Sequence, residues 1–176
     1  GYYSSIVGGR QNQAIGYYSF IGSGSYNTAR TDYTTVVGGA YNFAYGQNSF
    51  IGSGSYNQTN GMFSSIVSGQ RNFADGPNSF IGSGYRNSAT TSYSSIVGGK
   101  YNLVSGNSYS NNTSSSFIGG GKYNIALDGY DGSSAVVVGG TNNFAGGSYY
   151  SFSVVVGGNR NSATGGYSSV LGGNYN

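Results

Sequence analysis

The chain has 176 residues and a formal net charge of +3, and only 6% of its residues are charged, against about 25% in an average globular protein. This low charge, together with many Tyr, Val and Ile residues, argues against disorder and indicates a folded, β-rich protein. The chain contains no histidine or cysteine, so it lacks the commonest general base, any thiol nucleophile and any disulfide. We therefore expect neither an enzyme nor a cofactor.

Glycines recur along the chain at a short, fixed spacing. We call the glycine that ends each of the recurring Gly-Gly or Ser-Gly pairs an anchor glycine. Successive anchor glycines are 15 residues apart through Gly99, after which the spacings are 22, 19, 18 and 15. A short fixed period of this kind is typical of a solenoid, in which each repeat stacks on the previous one. The eleven anchor glycines are Gly9, Gly24, Gly39, Gly54, Gly69, Gly84, Gly99, Gly121, Gly140, Gly158 and Gly173.

Two residue types keep a constant distance from each anchor glycine. We predict that the Asn three residues after it forms a ladder at one corner, each amide donating to one neighbour and accepting from the other, and that the Ile or Val three residues before it forms the core. The ladder comprises Asn12, Asn27, Asn42, Asn57, Asn72, Asn87, Asn102, Asn124, Asn143, Asn161 and Asn176. The core comprises Ile6, Ile21, Val36, Ile51, Ile66, Ile81, Ile96, Ile118, Val137, Val155 and Val170.

The fold predicted from these repeats is all-β: a single parallel β-solenoid (a β-roll or β-helix) over residues 1–176, about 50 Å long if each repeat is one coil. The longer spacings predict a surface loop around 105–115 and smaller insertions around 127–134 and 146–152. Early repeats alternate between Ser-Ile-Val, as at 5–7, and Phe-Ile-Gly, as at 20–22, which gives a 30-residue superperiod. Either a coil is a 15-residue unit and neighbours alternate, or it is a 30-residue unit in which the two types form opposite walls.

Residues beside the core positions should point outward, because neighbouring side chains of a strand face opposite ways. In the 15-residue alternative they form a continuous apolar stripe, which usually marks an interface. We expect it to pack against further copies of the chain, most economically around a threefold axis; in the 30-residue alternative it would meet the opposite wall. The apolar stripe comprises Val7, Phe20, Val37, Phe50, Val67, Phe80, Val97, Phe117, Val138, Val156 and Leu171.

Six of the seven cations occupy the two positions after an anchor glycine, and tyrosines share those positions. Such an edge is suited to binding glycans through cation–π and charged contacts, although long side chains also simply cover a solenoid's flank. The net charge is too small and scattered to indicate nucleic acid binding. The candidate glycan-facing residues are Tyr26, Tyr41, Tyr56, Arg71, Arg86, Lys100, Tyr101, Lys122 and Tyr123.

Two further features concern acids and modification. Asp128 and Asp131 offer two carboxylates, but calcium takes six to eight oxygens, so we expect a solvated turn there and no metal site. Asn111 and Asn112 begin glycosylation sequons within the predicted loop, and Asn57 begins another on the ladder.

The ends and the hydropathy bear on assembly and location. No apolar run approaches the roughly 18 residues that span a bilayer, so we expect no membrane-spanning segment. Gly1 begins within a repeat and Asn176 ends on the predicted ladder, which favours a piece of a longer rod or an end-to-end filament of subunits.

The unit Ser-Ser-Ile-Val-Gly-Gly-x-x-Asn-x-Ala-x-Gly at 4–16 resembles the head repeats of YadA-type trimeric autotransporter adhesins, and similar repeats occur in viral and phage fibre proteins. The resemblance implies a trimeric left-handed parallel β-roll with an adhesive role. We therefore expect a structural segment of an extracellular, cell-surface or virion fibre. The alternative is a glycan-binding module that uses the edge of tyrosines and cations.

Overall fold

The computed structural model describes residues 1–106, 115–129, 133–147 and 152–176. Within these ranges the chain forms 21 short β-strands, and no helix there is long and apolar enough to cross a membrane. The strands belong alternately to two sheets. Within each sheet, neighbouring strands are two places apart in the chain and pair in parallel. The molecule is therefore a parallel β-solenoid, as the repeats predict.

The strands of the first sheet lie just before the anchor glycines and those of the second sheet just after them. The first sheet contains β1 (Ser5–Ile6), β3 (Phe20–Ile21), β5 (Thr35–Val36), β7 (Phe50–Ile51), β9 (Ser65–Ile66), β11 (Phe80–Ile81), β13 (Ser95–Ile96), β15 (Phe117–Ile118), β17 (Ser134–Val137), β19 (Phe152–Val155) and β21 (Ser169–Val170). The second contains β2 (Gln13–Ala14), β4 (Thr28–Ala29), β6 (Phe43–Ala44), β8 (Gln58–Thr59), β10 (Phe73–Ala74), β12 (Ser88–Ala89), β14 (Leu103–Gly106), β16 (Ile125–Asp128), β18 (Phe144–Gly146) and β20 (Ser162–Ala163).

Each 15-residue repeat is one coil. Ile6 pairs with Ile21, and Ile21 pairs with Val36, so equivalent residues of successive repeats lie directly above one another. A third ladder of single parallel bridges runs along the position after each anchor glycine, starting with Arg10 and Ser25. The 15-residue alternative is thus confirmed, and the alternative of 30-residue coils with opposite walls is wrong.

The interior is narrow and filled by small and medium side chains. Nine of the eleven predicted core residues, from Ile21 to Val155, have 0% exposure, whereas Ile6 in the first coil is 44% exposed and Val170 in the last is only partly buried. They pack against a column of residues from the second sheet, mostly Ala, such as Ala29 and Ala74, which is also buried. The core therefore consists of the predicted aliphatic column on one sheet and a column of mostly smaller residues on the other.

Three predicted insertions begin or end within strands. In the first, Ser105 and Gly106 belong to β14 and pair with Leu127 and Asp128 of β16. In the others, β17 already starts at Ser134 and β19 at Phe152. Some of the inserted residues therefore lengthen the strands and so widen these coils. Residues 107–114 of the predicted loop around 105–115, including Asn111 and Asn112, lie outside the described residues.

Candidate functional site: the asparagine corner, the apolar stripe and the cationic edge

The ladder asparagines bind backbone groups of their own and adjacent coils. The Oδ1 of Asn42 accepts a hydrogen bond of 3.0 Å from the backbone N–H of Asn57 in the next coil. Its Nδ2 donates to the carbonyl of Gly38 in its own coil at 3.0 Å and to that of Gly54 in the next coil at 2.9 Å. The same pattern recurs through Asn161. The side chain thus forms hydrogen bonds with three main-chain groups, and burying any one of these groups without a partner would cost free energy.

This pattern differs from the predicted chain of amide-to-amide contacts. Among the described residues, the side-chain amide of Asn72 does donate to the Oδ1 of Asn57, at 3.2 Å, but the recurring partners are backbone atoms. Asn57 is fully buried with its amide engaged at both ends, so its sequon is inaccessible in the folded chain. Asparagine is required at this corner because no other side chain of this length offers two donors and one acceptor here.

Left-handed backbone at the corner falls on residues before the asparagine, rather than on the asparagine itself. Each anchor glycine has a positive φ, for example +95° at Gly54, and a Cβ there would lie 2.0 Å from the carbonyl oxygen of Gly69. Two residues later the chain is again left-handed, as at Tyr26 with φ 56°. That turn points the Tyr26 N–H back at the carbonyl of Arg10, 3.0 Å away in the previous coil, which offsets the cost of the conformation.

A second left-handed corner, six residues before the anchor glycine, carries another tyrosine ladder that sequence reasoning did not single out. Tyr3, Tyr18 and Tyr33 all have positive φ there, and their rings stack with centroids 5.1 and 5.3 Å apart. The signal in the sequence was the 15-residue spacing of these tyrosines. In several other coils the same position holds a different residue type, so the spacing of the tyrosines is easily overlooked in the sequence.

The apolar stripe lies on the outer face of the first sheet and is accessible along the rod. Its valines are well exposed; Val67 and Val97, for example, are 46% and 50% exposed. Phe20, Phe50 and Phe117 are partly buried. The structure therefore brings all eleven predicted stripe residues onto one face, at one residue per coil.

Phenylalanine and glycine compensate for each other within a strand. The ring of Phe50 lies over Gly52, whose Cβ position would be 3.4 Å from the Phe50 Cε1 atom. The same relation holds between Phe117 and Gly119, again at 3.4 Å. In the intervening coils a valine fills this place instead. The result is an apolar surface of similar height in every coil, which suits it to close packing against a regular partner.

On the edge that follows the anchor glycines, cations and tyrosines interleave over five consecutive coils. We call this group the cationic strip: Tyr56, Arg71, Tyr85, Arg86, Lys100, Tyr101, Lys122 and Tyr123. The Arg71 Nη1 donates to the Tyr85 hydroxyl oxygen at 3.1 Å, and the Lys100 Nζ lies 5.1 Å from the centre of the Tyr85 ring. The Lys122 Nζ lies 4.8 Å from the centre of the Tyr123 ring. Tyr26 and Tyr41, the other two predicted glycan-facing residues, stack at 4.7 Å and continue the same edge.

The hydrogen bond from Arg71 lowers the pKa of the Tyr85 hydroxyl, and the positive charge of Arg86 lowers it further, while partial desolvation acts in the opposite sense. The two arginines therefore favour the phenolate form of Tyr85 over its neutral form.

Asp128 lies inside the solenoid, and the expected solvated turn at this residue is wrong. Its carboxyl is 4% exposed at the end of β16, and burial raises its pKa, although a hydrogen bond donated by the Ser116 hydroxyl acts in the opposite direction. Within the described part of the chain the second carboxylate oxygen accepts no hydrogen bond, and the nearby hydroxyl of Thr91 also acts to lower the pKa of the carboxyl. Asp131 is outside the described residues, and among those described no group of three acids could hold a metal ion.

Comparison with protein-family models and with curated proteins found no match to this chain. The resemblance to YadA-type head repeats and to fibre repeats therefore depends on the sequence motif alone. Evidence for function therefore comes from the asparagine corner, the apolar stripe and the cationic edge.

Proposed function

We propose that the chain is a non-enzymatic structural rod of an extracellular, cell-surface or virion fibre, in which copies pack side by side through the apolar stripe. The single observation that carries this proposal is the line of exposed or half-buried Val, Phe and Leu side chains, one in each coil, along the first sheet. A stripe of this length on an isolated rod would expose more contiguous apolar surface than soluble monomers usually do. The absence of His, Cys and Glu from the sequence supports a role without acid–base or nucleophilic chemistry.

A further copy of the chain is the partner that fits the stripe best. The stripe repeats once per coil, about every 4.8 Å, and its bulk alternates between Phe and Val through the first eight coils. Another solenoid of the same sequence carries the same spacing and the same alternation. A partner with a different repeat would lose contact within a few coils.

Area favours three copies over two. Eleven coils give a stripe about 50 Å long, and at a width of about 10 Å two facing stripes would bury roughly 1,000 Å² in total. That is the lower limit for a specific interface. Around a threefold axis each stripe contacts two others, so each chain buries more of its apolar surface. We therefore propose a parallel trimer.

The test compares the mass of the assembly for lysine variants on and off the stripe. Val67 and Met62 are both 46% exposed, but only Val67 belongs to the stripe. By analytical ultracentrifugation the wild type and Met62→Lys should sediment as trimers, and Val67→Lys, combined with Val97→Lys, as monomers. A monomeric wild type would refute the assembly. If the wild type were a dimer and the variant with Val67→Lys and Val97→Lys a monomer, the stripe would still be the interface, but the threefold arrangement would be wrong.

A further inference from the structure

The cationic strip concentrates positive charge that the rest of the edge does not have. Arg71, Arg86, Lys100 and Lys122 occupy four consecutive coils, whereas Arg10 and Arg160 stand alone elsewhere on the same edge. None of the 22 positions that directly follow the anchor glycines holds an acid. Like charges on neighbouring coils repel one another. An uncompensated column of this kind is stabilised by a bound anion.

The ring faces of the strip's tyrosines contact one another or the neighbouring cations. The Tyr101 and Tyr123 rings stack with centroids 5.0 Å apart and planes inclined by 11°. The Arg86 guanidinium lies over both the Tyr85 and Tyr101 rings, 5.4 and 5.6 Å from their centres. Bases and sugar rings therefore find no free aromatic face between these residues. What the strip presents is positive charge together with phenolic hydroxyls.

We propose that the cationic strip binds an extended acidic polysaccharide parallel to the rod axis, with one anionic sugar for each coil. One charge per coil matches one charge per sugar, because the length of a pyranose along an extended chain is similar to the rise of a coil, about 4.8 Å. The hydroxyls of the polymer can pair with the phenols. A single-stranded nucleic acid fits less well, because proteins hold its bases largely by stacking on free aromatic faces.

This site is independent of the proposed trimer. The apolar stripe lies on β-strands before the anchor glycines, and the strip follows those glycines on another side of the coil. Binding can therefore fail while assembly persists, and the reverse also holds.

Calorimetric titration with uronic acid oligomers tests the proposal. With polygalacturonate oligomers, affinity should increase with length up to about four sugars, one for each cation-bearing coil, and then rise only slowly. The methyl ester of the same oligomers should not bind. A sulfated oligomer of equal length should bind as well, since the strip offers cations to any anionic group; its failure to bind would contradict recognition by charge.

Two charge-matched double variants locate the site. Arg71→Gln with Arg86→Gln should weaken binding of the four-sugar oligomer about tenfold, whereas Arg10→Gln with Arg30→Gln should change it less than twofold. All four arginines are exposed, so both variants should unfold at the wild-type temperature. Equal losses in the two variants, equal binding of the methyl ester, or equally tight binding of a single-stranded oligonucleotide would each overturn the proposal.

Discussion

Asn42 donates a 2.9 Å hydrogen bond from its side-chain amide to the carbonyl oxygen of Gly54, the anchor glycine of the next coil. That contact joins the two residue types that recur in all eleven repeats. The glycine allows the chain to pass close above the coil below, and the asparagine satisfies the backbone groups that this approach buries. The corner is therefore a single unit in which neither residue is replaceable alone.

We expect Asn42→Ala to destabilise the rod by about 3–5 kcal/mol, because it leaves the Asn57 N–H and the carbonyls of Gly38 and Gly54 buried without partners. Asn60→Ala is the matched control, since the Asn60 side chain is exposed; it should cost less than about 0.5 kcal/mol. Urea unfolding followed by circular dichroism measures both. Equal stabilities of the two variants would contradict the role assigned to the ladder.

Alanine at an anchor glycine should be more damaging than alanine one residue earlier. Gly54→Ala places a Cβ 2.0 Å from the Gly69 carbonyl oxygen at a φ of +95°, so we expect a loss above about 3 kcal/mol or failure to fold. In Gly38→Ala the nearest atom lies 3.4 Å away, and other repeats already carry Ser at that position, so the change should be close to neutral. Thermal unfolding of the two variants gives the comparison. A Gly54→Ala protein as stable as Gly38→Ala would show that the corner is more open than described.

Asp128 should make the rod less stable as the pH rises. Because burial raises the pKa of its carboxyl in the folded state, the folded chain holds the proton more tightly than the unfolded chain. Its contribution to stability is therefore complete below the unfolded pKa, about 3.9, and is lost as the pH rises through the folded pKa. Asp128→Asn, which carries no charge, should be more stable than wild type at pH 7 and nearly equal to it in acid.

Urea midpoints measured from about pH 4 to pH 7 test this dependence. The control is Asp75→Asn, since the Asp75 side chain is exposed and accepts a hydrogen bond from the exposed Asn60 amide. A wild-type midpoint that increased steadily with pH, or a clear loss of stability in Asp128→Asn at pH 7, would contradict the buried carboxyl.

Tyr85 should titrate below its ordinary pKa of about 10, since Arg71 donates a hydrogen bond to its oxygen and Arg86 adds positive charge. Arg71→Gln should raise the pKa of Tyr85, whereas Arg30→Gln, at a different position of the coil, should not. NMR titration with ring-labelled tyrosine measures these values, and Tyr85→Phe assigns the signal. If Arg71→Gln left the Tyr85 titration unchanged, the hydrogen bond between them would be absent in solution.

The sequence predicts most of the fold because every coil repeats the same solution. The recurrence of Asn42, Asn57 and their equivalents at a fixed distance from glycine required stacking in parallel register. The sequence did not separate the 15-residue coil from the 30-residue coil, since both bury the same Ile and Val. Only pairing such as that of Phe50 with Ser65 decides between them.

The corner conformation, the burial of Asp128 and the orientation of the tyrosines were harder to predict from the sequence. The left-handed corner falls mostly on Tyr, Arg and Gln, which have no intrinsic preference for positive φ, so no residue preference marks it in the sequence. Asp128 sits in a segment rich in Gly and Asp that is typical of turns, yet pairing with Gly106 extends β16 through it and draws its carboxyl inside. Whether tyrosine faces point outward or along the axis also depended on stacking that spacing alone does not determine.

A density map of the assembled protein tests the central claim most directly. We predict parallel rods with a coil rise of about 4.8 Å, grouped around a threefold axis with Val67, Phe80 and Val97 facing that axis and the cationic strip facing solvent. A map in which these three side chains point to solvent, or in which another face of the coil forms the contact, would contradict it.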